Sequence, residues 1–310
     1  MIYSLAPMDW ITNSSYRQIV KKIWNNYKNK SNDKLILYTE FVSSDWIKHN
    51  FDWIKSSLDF SENEKPLICQ IFWSNLDNLL YSAKKIEKLY NFDWIDLNIW
   101  CPSSKIIKNW AWAALMINKK NTLNIVKTLS KQLSIPFSIK TRTWINDDDK
   151  QEQLKFIIEA SNFCNIIAIH ARTLKQWHSW NVDIDFVLNA KKYSNPKCKI
   201  FLNWWIDENK LWDKKFLDKI KNLDWIMIWK AAIWNPRIFV WKKPSLEEKK
   251  NIILEHLMLN IENIWEKKWV LEFRKFIWFY IKWIDNASKY RTNFMRIETY
   301  KEFKNLIKKI

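Results

Sequence analysis

Polar side chains end a series of otherwise apolar runs in this 310-residue chain, and their types are those of a reaction site. Met8 and Asp9 follow IYSLAP, Gln70 interrupts PLICQIF, and Asn98 to Cys101 close WIDLNIW and open the segment after it. Lys140 to Arg142 close PFSIKTR, His170 to Arg172 close IIAIHAR, Asn203 falls near the end of KIFLNW, and Lys230 follows WIMIW. A glutamine such as Gln70 offers both donors and an acceptor to the edge of a heterocyclic ring, or equally forms a satisfied structural amide. Lys140 supplies a cation for an anionic ring or phosphate, and a strand-end ion pair accounts for it as well. Cys101 carries a thiol that is mostly protonated at neutral pH and can serve as a general acid, against the bland alternative of a buried inert cysteine. One polar strand end means little, but seven of them aimed at one mouth imply a site.

Those residues need a frame that brings strand ends together. The apolar, β-branched runs IYSLAPM (2–8), KLILYTEF (34–41), PLICQIF (66–72), WIDLNIW (94–100), PFSIKTR (136–142), IIAIHAR (166–172), KIFLNW (199–204) and WIMIWKA (225–231) recur at intervals of about 26 to 42 residues. That spacing accommodates a strand, a loop and a helix, and continuous apolar runs suit strands buried on both faces. Intervening segments such as SNLDNLLYSAKKIEKLY (74–90) carry apolar residues at helical spacing. Eight β/α units over residues 1–243 predict an α/β protein built as a (β/α)₈ TIM barrel, with catalytic groups at the C-terminal strand ends. A doubly wound sheet is the competing architecture, but it uses fewer strands. Residues 244–310 read as helices only, opened by a capping box of Ser245 and Glu248, and predict a small helical domain.

Composition adds an anomaly. The chain has 0 Gly and 23 Trp, whereas an ordinary protein of this length carries roughly 22 glycines, at about 7% of residues. Tight turns need backbone positions with positive φ, which glycine alone occupies cheaply. The near-equal deficit and surplus point to a gene in which UGA encodes glycine, read with a table in which it encodes tryptophan.

The net charge of +18 attracts polyanions such as nucleic acid, although an AT-rich genome inflates lysine everywhere. No run of 18 uncharged apolar residues exists, so no membrane span is expected, and MIYSLAPMDW does not read as a signal peptide. Cys69, Cys101, Cys164 and Cys198 form no CxxC pair, which argues against a zinc or other metal site and for a reducing, cytoplasmic setting.

With tryptophan read as glycine, residues 96–116 (DLNIWCPSSKIIKNWAWAALM) closely resemble the D-x-N-x-G-C-P-x-x-K and G-A-G-x-x-L signature of the tRNA-dihydrouridine synthases. APMDWITNSSYR (6–17) is similar to that family's first strand and loop. IKTRTW (139–144), IHARTLKQW (169–177), LNWWI (202–206), DWIMIWKAAIWNP (224–236) and the tail RKFIWFYIKW (274–283) continue the likeness in order across almost the whole chain. The departures are nearly all tryptophan for glycine, at Trp10, Trp100, Trp110, Trp112, Trp144, Trp204, Trp205, Trp225, Trp229 and Trp234.

The resemblance implies an FMN enzyme that reduces the C5=C6 bond of uridines in tRNA, with NADPH or NADH as reductant. It assigns the proton donor to Cys101. It implies that Pro7, Met8 and Asp9 border the flavin, that Gln70 holds its pyrimidine part, and that Lys140 lies at its N1–C2=O edge. It further implies a phosphate end built from Asn203, Trp204, Trp205, Trp229 and Lys230, with His170 close to phosphate or ring. Asn98, Lys105, Arg142, Arg172 and Lys175 become the candidate substrate and RNA contacts, with a solvated surface charge the simpler reading for any single cation among them. Members of the family are commonly monomeric. Two other readings stay open: a dihydroorotate dehydrogenase-like enzyme acting on a free pyrimidine, and a non-catalytic tRNA-binding protein.

Overall fold

Each of the eight apolar runs forms a strand: β1 (Ile2–Leu5), β2 (Lys34–Ser43), β3 (Leu67–Phe72), β4 (Trp94–Asn98), β5 (Phe137–Trp144), β6 (Ile166–Thr173), β7 (Lys199–Trp204) and β8 (Trp225–Ile228). The computed structural model describes residues 2–27, 32–73, 75–99, 115, 118–144, 149–173, 182–204, 214–223, 225–261, 266–282 and 284–310. Every strand is parallel to its neighbours in chain order, and β8 pairs with β1 through Ile2↔Trp225 to Leu5↔Ile228, closing a (β/α)₈ barrel.

The continuous apolar runs are explained by burial on both faces. Ile36, Tyr38, Ile68, Ile166, Ala168, Phe201 and Met227 fill the barrel interior over a floor of Ile2, Trp94 and Trp225. The alternate residues Leu35, Leu37, Leu67, Cys69, Ile95, Leu97 and Ile139 pack outward, into the layer beneath the helices.

Among the described residues the helices are α1 (Ser14–Tyr27), α2 (Ser44–His49), α3 (Phe51–Ile54), α4 (Leu76–Leu89), α5 (Lys119–Gln132), α6 (Lys150–Ala160), α7 (Ile184–Tyr193), α8 (Lys214–Ile220), α9 (Lys230–Trp234), α10 (Leu246–Ile261), α11 (Glu266–Tyr280), α12 (Ala287–Phe294) and α13 (Tyr300–Lys308). Helix α4 shows why such segments fold locally. Asn75 caps it by accepting from the Asn78 N–H at 3.0 Å, and Leu79, Ala83 and Ile86 bury one face against the sheet. None of the described helices is long and apolar enough to cross a membrane.

Helix α10 opens on the expected capping box: the Ser245 N–H donates to Glu248 (2.8 Å) and the Glu248 N–H to Ser245 Oγ (3.2 Å). Helices α10 to α13 pack on one another through Phe273, Phe276, Phe294 and Phe303, all nearly or fully buried. They meet the barrel at α1, where the Tyr16 ring stacks on Phe276 at 6.0 Å and Asn13 donates to Asn260 at 3.1 Å.

Candidate active site

Strand register decides which polar residues meet. Gln70 pairs with Asp96 and Asp96 with Ser138; one step toward the mouth, Asn98 pairs with Lys140. Arg142 pairs with His170, and His170 with Asn203. The barrel therefore carries an apolar floor and a polar upper interior, the arrangement expected of a site at the C-terminal strand ends.

The upper interior contains a chain of hydrogen bonds. Gln70 donates from Nε2 to Asp96 Oδ2 at 2.6 Å, Ser138 donates from Oγ to Asp96 Oδ1 at 2.6 Å, and Asn98 donates from Nδ2 to Gln70 Oε1 at 3.0 Å. Gln70, Asp96 and Ser138 are fully buried and Asn98 nearly so. A bulge in β2, where the register shifts between Tyr38 and Phe41, turns Thr39 so that its Oγ1 accepts from the Gln70 backbone N–H at 3.1 Å. Burial pushes the Asp96 carboxyl up to about 6, while the bonds from Ser138 and Gln70 and the Lys140 ammonium pull the other way.

The first loop is held from beneath. Thr12 Oγ1 accepts from the Met8 N–H (3.0 Å) and donates to the Met8 carbonyl (3.1 Å). Pro7 and Met8 are buried, while Asp9 and Trp10 are exposed. At the end of β2, burial raises the Glu40 carboxyl to about 7, against the pull of Lys275 and Arg17. Lys275 comes from α11, so the C-terminal helices bring a positive charge toward the barrel mouth. Its ammonium also lies 5.5 Å from the Trp10 ring centroid.

On the opposite wall, Asn203 donates to the Met227 carbonyl at 3.3 Å, and the His170 ring meets the Trp229 indole edge-on at 5.7 Å. Lys230 sits 4.8 Å over that indole. Burial lowers the Lys230 ammonium below its usual range, and Arg172 and Lys282 add to the effect, so three cations converge there. Arg142 and Arg172 are buried in the barrel wall, not solvated on the rim, and Arg142 donates to the Thr173 carbonyl at 3.2 Å.

The structure thus joins Gln70, Asn98 and Lys140 in one group and His170, Asn203, Trp229 and Lys230 in another. Cys101, Lys105, Lys175 and Trp205 lie outside the described residues, as does the Trp204 side chain. The strand-end pattern assigns no role to Asp96, Ser138, Thr39 or the influence of Lys275 on Glu40. An acid inside the run WIDLN was the one available signal; the others depend on pairing between distant strands.

Comparison with known proteins is consistent across the whole chain. The family model described as dihydrouridine synthase (Dus) matches residues 4–310. A protein of Aquifex aeolicus (strain VF5) named probable tRNA-dihydrouridine synthase is 27% identical over 99% of this chain and 94% of its own length. Proteins with the same name from Staphylococcus aureus (strain COL) and Rickettsia bellii (strain RML369-C) are 25% and 24% identical, over 98% and 93% of this chain and 92% and 87% of theirs. With a match running from the first strand to the last helix, the chain belongs to the dihydrouridine synthase family.

Proposed function

We propose that this protein reduces the C5=C6 bond of uridines in tRNA to give dihydrouridine, using bound FMN and NADPH or NADH as the source of electrons. The observation that carries the reading is the polar layer of Gln70, Asn98 and Lys140 above an apolar barrel floor, in a chain of this family.

That layer fits the ring of FMN. Gln70 and Asn98 offer amide donors and acceptors to its pyrimidine edge, and Lys140 offers a cation for the negative charge that a reduced flavin carries. Pro7, Met8 and Asp9 would border the ring. Asn203, positions 204 and 205, position 229, Lys230 and His170 would hold the phosphate. The phosphate end fits with glycine at position 229. As written, the Trp229 indole stands against His170 and beneath Lys230, where the reading needs bare backbone.

Two more observations support glycine at the tryptophan positions. Trp10 and Trp241 adopt φ of 64° and 55°, a region that costs a residue with a Cβ about 1–2 kcal/mol. Trp94 and Trp269 bury indole N–H groups without a hydrogen-bond partner among the described residues. The gene's codons test this directly, since UGG throughout would refute it.

FMN held in the barrel mouth would supply the hydride equivalent for C6 of the uracil ring. Cys101, which follows β4 in sequence, would hold the proton given to C5 from the opposite face, as a thiol of ordinary pKa can at neutral pH. The target base lies within a folded RNA and has to be extruded to enter the barrel. Residues 244–310 would form a tRNA-binding domain, and Lys105, Lys175 and the surface cations of this basic chain would hold RNA phosphates, making affinity salt-dependent. The buried Arg142 and Arg172 would instead face a base or cofactor inside the barrel. The protein would act as a monomer in the cytoplasm, where tRNA and reduced thiols coexist.

The test uses protein carrying glycine at the 23 tryptophan positions, incubated with NADPH and unmodified tRNA and assayed for dihydrouridine. Product from the parent and little from Cys101→Ala is the expected result. A flavin that is bound and reduced by NADPH without any product in tRNA would overturn the reading in favour of a free-pyrimidine oxidoreductase.

A further inference from the structure

The fully buried carboxylate of Asp96 lies one layer below the mouth and accepts from two side chains, Gln70 Nε2 and Ser138 Oγ, both at 2.6 Å. An ionised carboxylate has no proton to donate. The Gln70 amide must therefore turn its NH₂ toward Asp96 and its Oε1 toward Asn98, which in turn must present its own NH₂ at 3.0 Å. Both amides acquire a defined polarity from one charge beneath them. The Thr39 hydroxyl, holding the Gln70 main chain at 3.1 Å, leaves the side-chain torsions as the only freedom for Asp96 to remove. Burial raises the Asp96 carboxyl to about 6, still below neutral pH, and Lys140, paired in register with Asn98, pulls the other way.

We propose that Asp96 is a positioning residue, whose carboxylate fixes the amides of Gln70 and Asn98 in the single orientation that the ring of a bound heterocycle reads. The consequence for FMN rests on the function proposed above; the orientation of the amides does not. A neutral residue of the same shape is the informative substitution. In Asp96→Asn the new amide can accept from Gln70 Nε2 or, flipped, donate to Gln70 Oε1, because the Ser138 hydroxyl can serve as either partner. Gln70 then has two orientations where it had one.

The experiment has two arms, both on the full-length chain carrying glycine at the 23 tryptophan positions. In the flavin-free protein, the side-chain NH₂ resonances of Gln70 and Asn98 are followed by ¹⁵N NMR. Each is expected as one set of signals in the parent and as two sets, or one broadened set, in Asp96→Asn. Unchanged signals in the variant overturn the proposal. In the second arm, FMN affinity and the flavin absorption spectrum are measured for the parent, Asp96→Asn and Ser138→Ala. Asp96→Asn is expected to weaken FMN about tenfold and shift the spectrum, whereas Ser138→Ala, which leaves the Gln70–Asp96 bond intact, is expected to stay within about twofold of the parent, a tenfold change corresponding to roughly 1.4 kcal/mol. Equal weakening by both substitutions would mean general damage to the barrel interior and overturns the positioning role. A parent that binds no flavin, with the NMR difference still present, rejects the functional reading while leaving Asp96 as the residue that orients Gln70.

Discussion

Arg17 of α1 and Glu64, in the turn before β3, form an ion pair at 2.5 Å with side chains 1% and 0% exposed. Glu64 also accepts from the Ser61 N–H at 2.8 Å and from the Ser14 hydroxyl, and Arg17 donates to the Thr12 carbonyl at 2.6 Å. The pair thereby ties the loop that carries Met8 and Asp9 to the segment leading into the Gln70 strand. Removing one member strands a buried charge, which costs about 3–5 kcal/mol. Glu64→Gln is expected to lower stability by about that amount in urea unfolding, with the larger part restored by the double substitution Arg17→Met/Glu64→Gln. No recovery in the double variant would mean that the bonds of Glu64 to Ser14 and Ser61, and not its charge, matter.

Thr12 holds both backbone groups of Met8 through one hydroxyl. Thr12→Val keeps the volume and removes the hydroxyl, leaving a buried N–H without its acceptor. The expected loss is about 1–3 kcal/mol in stability. On the proposed function, flavin affinity falls several-fold as well, whereas Thr12→Ser retains both; calorimetric unfolding and flavin titration check the pair.

His256 in α10 is fully buried among Tyr16, Phe273, Phe276 and Tyr280, with Nδ1 3.1 Å from the Tyr280 hydroxyl. Burial lowers its pKa to about 3, well below the usual 6.5. Between those values the unfolded chain takes up a proton that the folded one refuses, so stability is lost as pH falls from about 6.5 toward 3, by slightly more than ~1 kcal/mol for each pH unit. Asp96 acts in the opposite sense. Its folded pKa of about 6 lies above the ordinary 3.8, so the folded state gains a proton first and stability rises as pH falls through that window. His256→Gln is expected to flatten the acid limb of stability against pH, and Asp96→Asn to steepen it. Urea unfolding between pH 4 and 8 measures both; an acid limb unchanged in His256→Gln would contradict the neutral, buried imidazole.

Trp10 is 69% exposed and sits at φ 64°, so its indole contributes little packing while its Cβ strains the backbone. Trp10→Gly is expected to raise stability by about 1 kcal/mol, the relief of a left-handed residue less the extra entropy that glycine gives the unfolded chain. Trp241, at φ 55°, differs because its Nε1 donates to the Tyr3 hydroxyl at 3.0 Å and its ring packs edge-on against Tyr3. Trp241→Gly is therefore expected to gain less. A loss of stability in Trp10→Gly would count against glycine at that position.

By itself the sequence determined the order and number of the strands, while the short helix Ala287–Phe294, with little apolar periodicity, did not stand out from it. Strands buried on both faces must be apolar throughout, so β1 to β8 stand out as runs such as KLILYTEF and IIAIHAR, and intervals long enough for a loop and a helix dictate eight β/α units. It also determined which positions carry chemistry at strand ends, because a polar residue closing an apolar run has few structural reasons to be there. Tertiary structure decided which of those residues meet. Gln70 and Asp96 are 26 positions apart, and only the β3–β4 register sets them side by side with the amide pointing one way. The bulge in β2 that turns Thr39 toward Gln70, the burial that raises Asp96, and the reach of Lys275 from α11 to Glu40 likewise belong to pairings between distant segments. Residue type specifies what a side chain can donate or accept, but its partner and its local dielectric are set by packing, which no local pattern in the chain encodes.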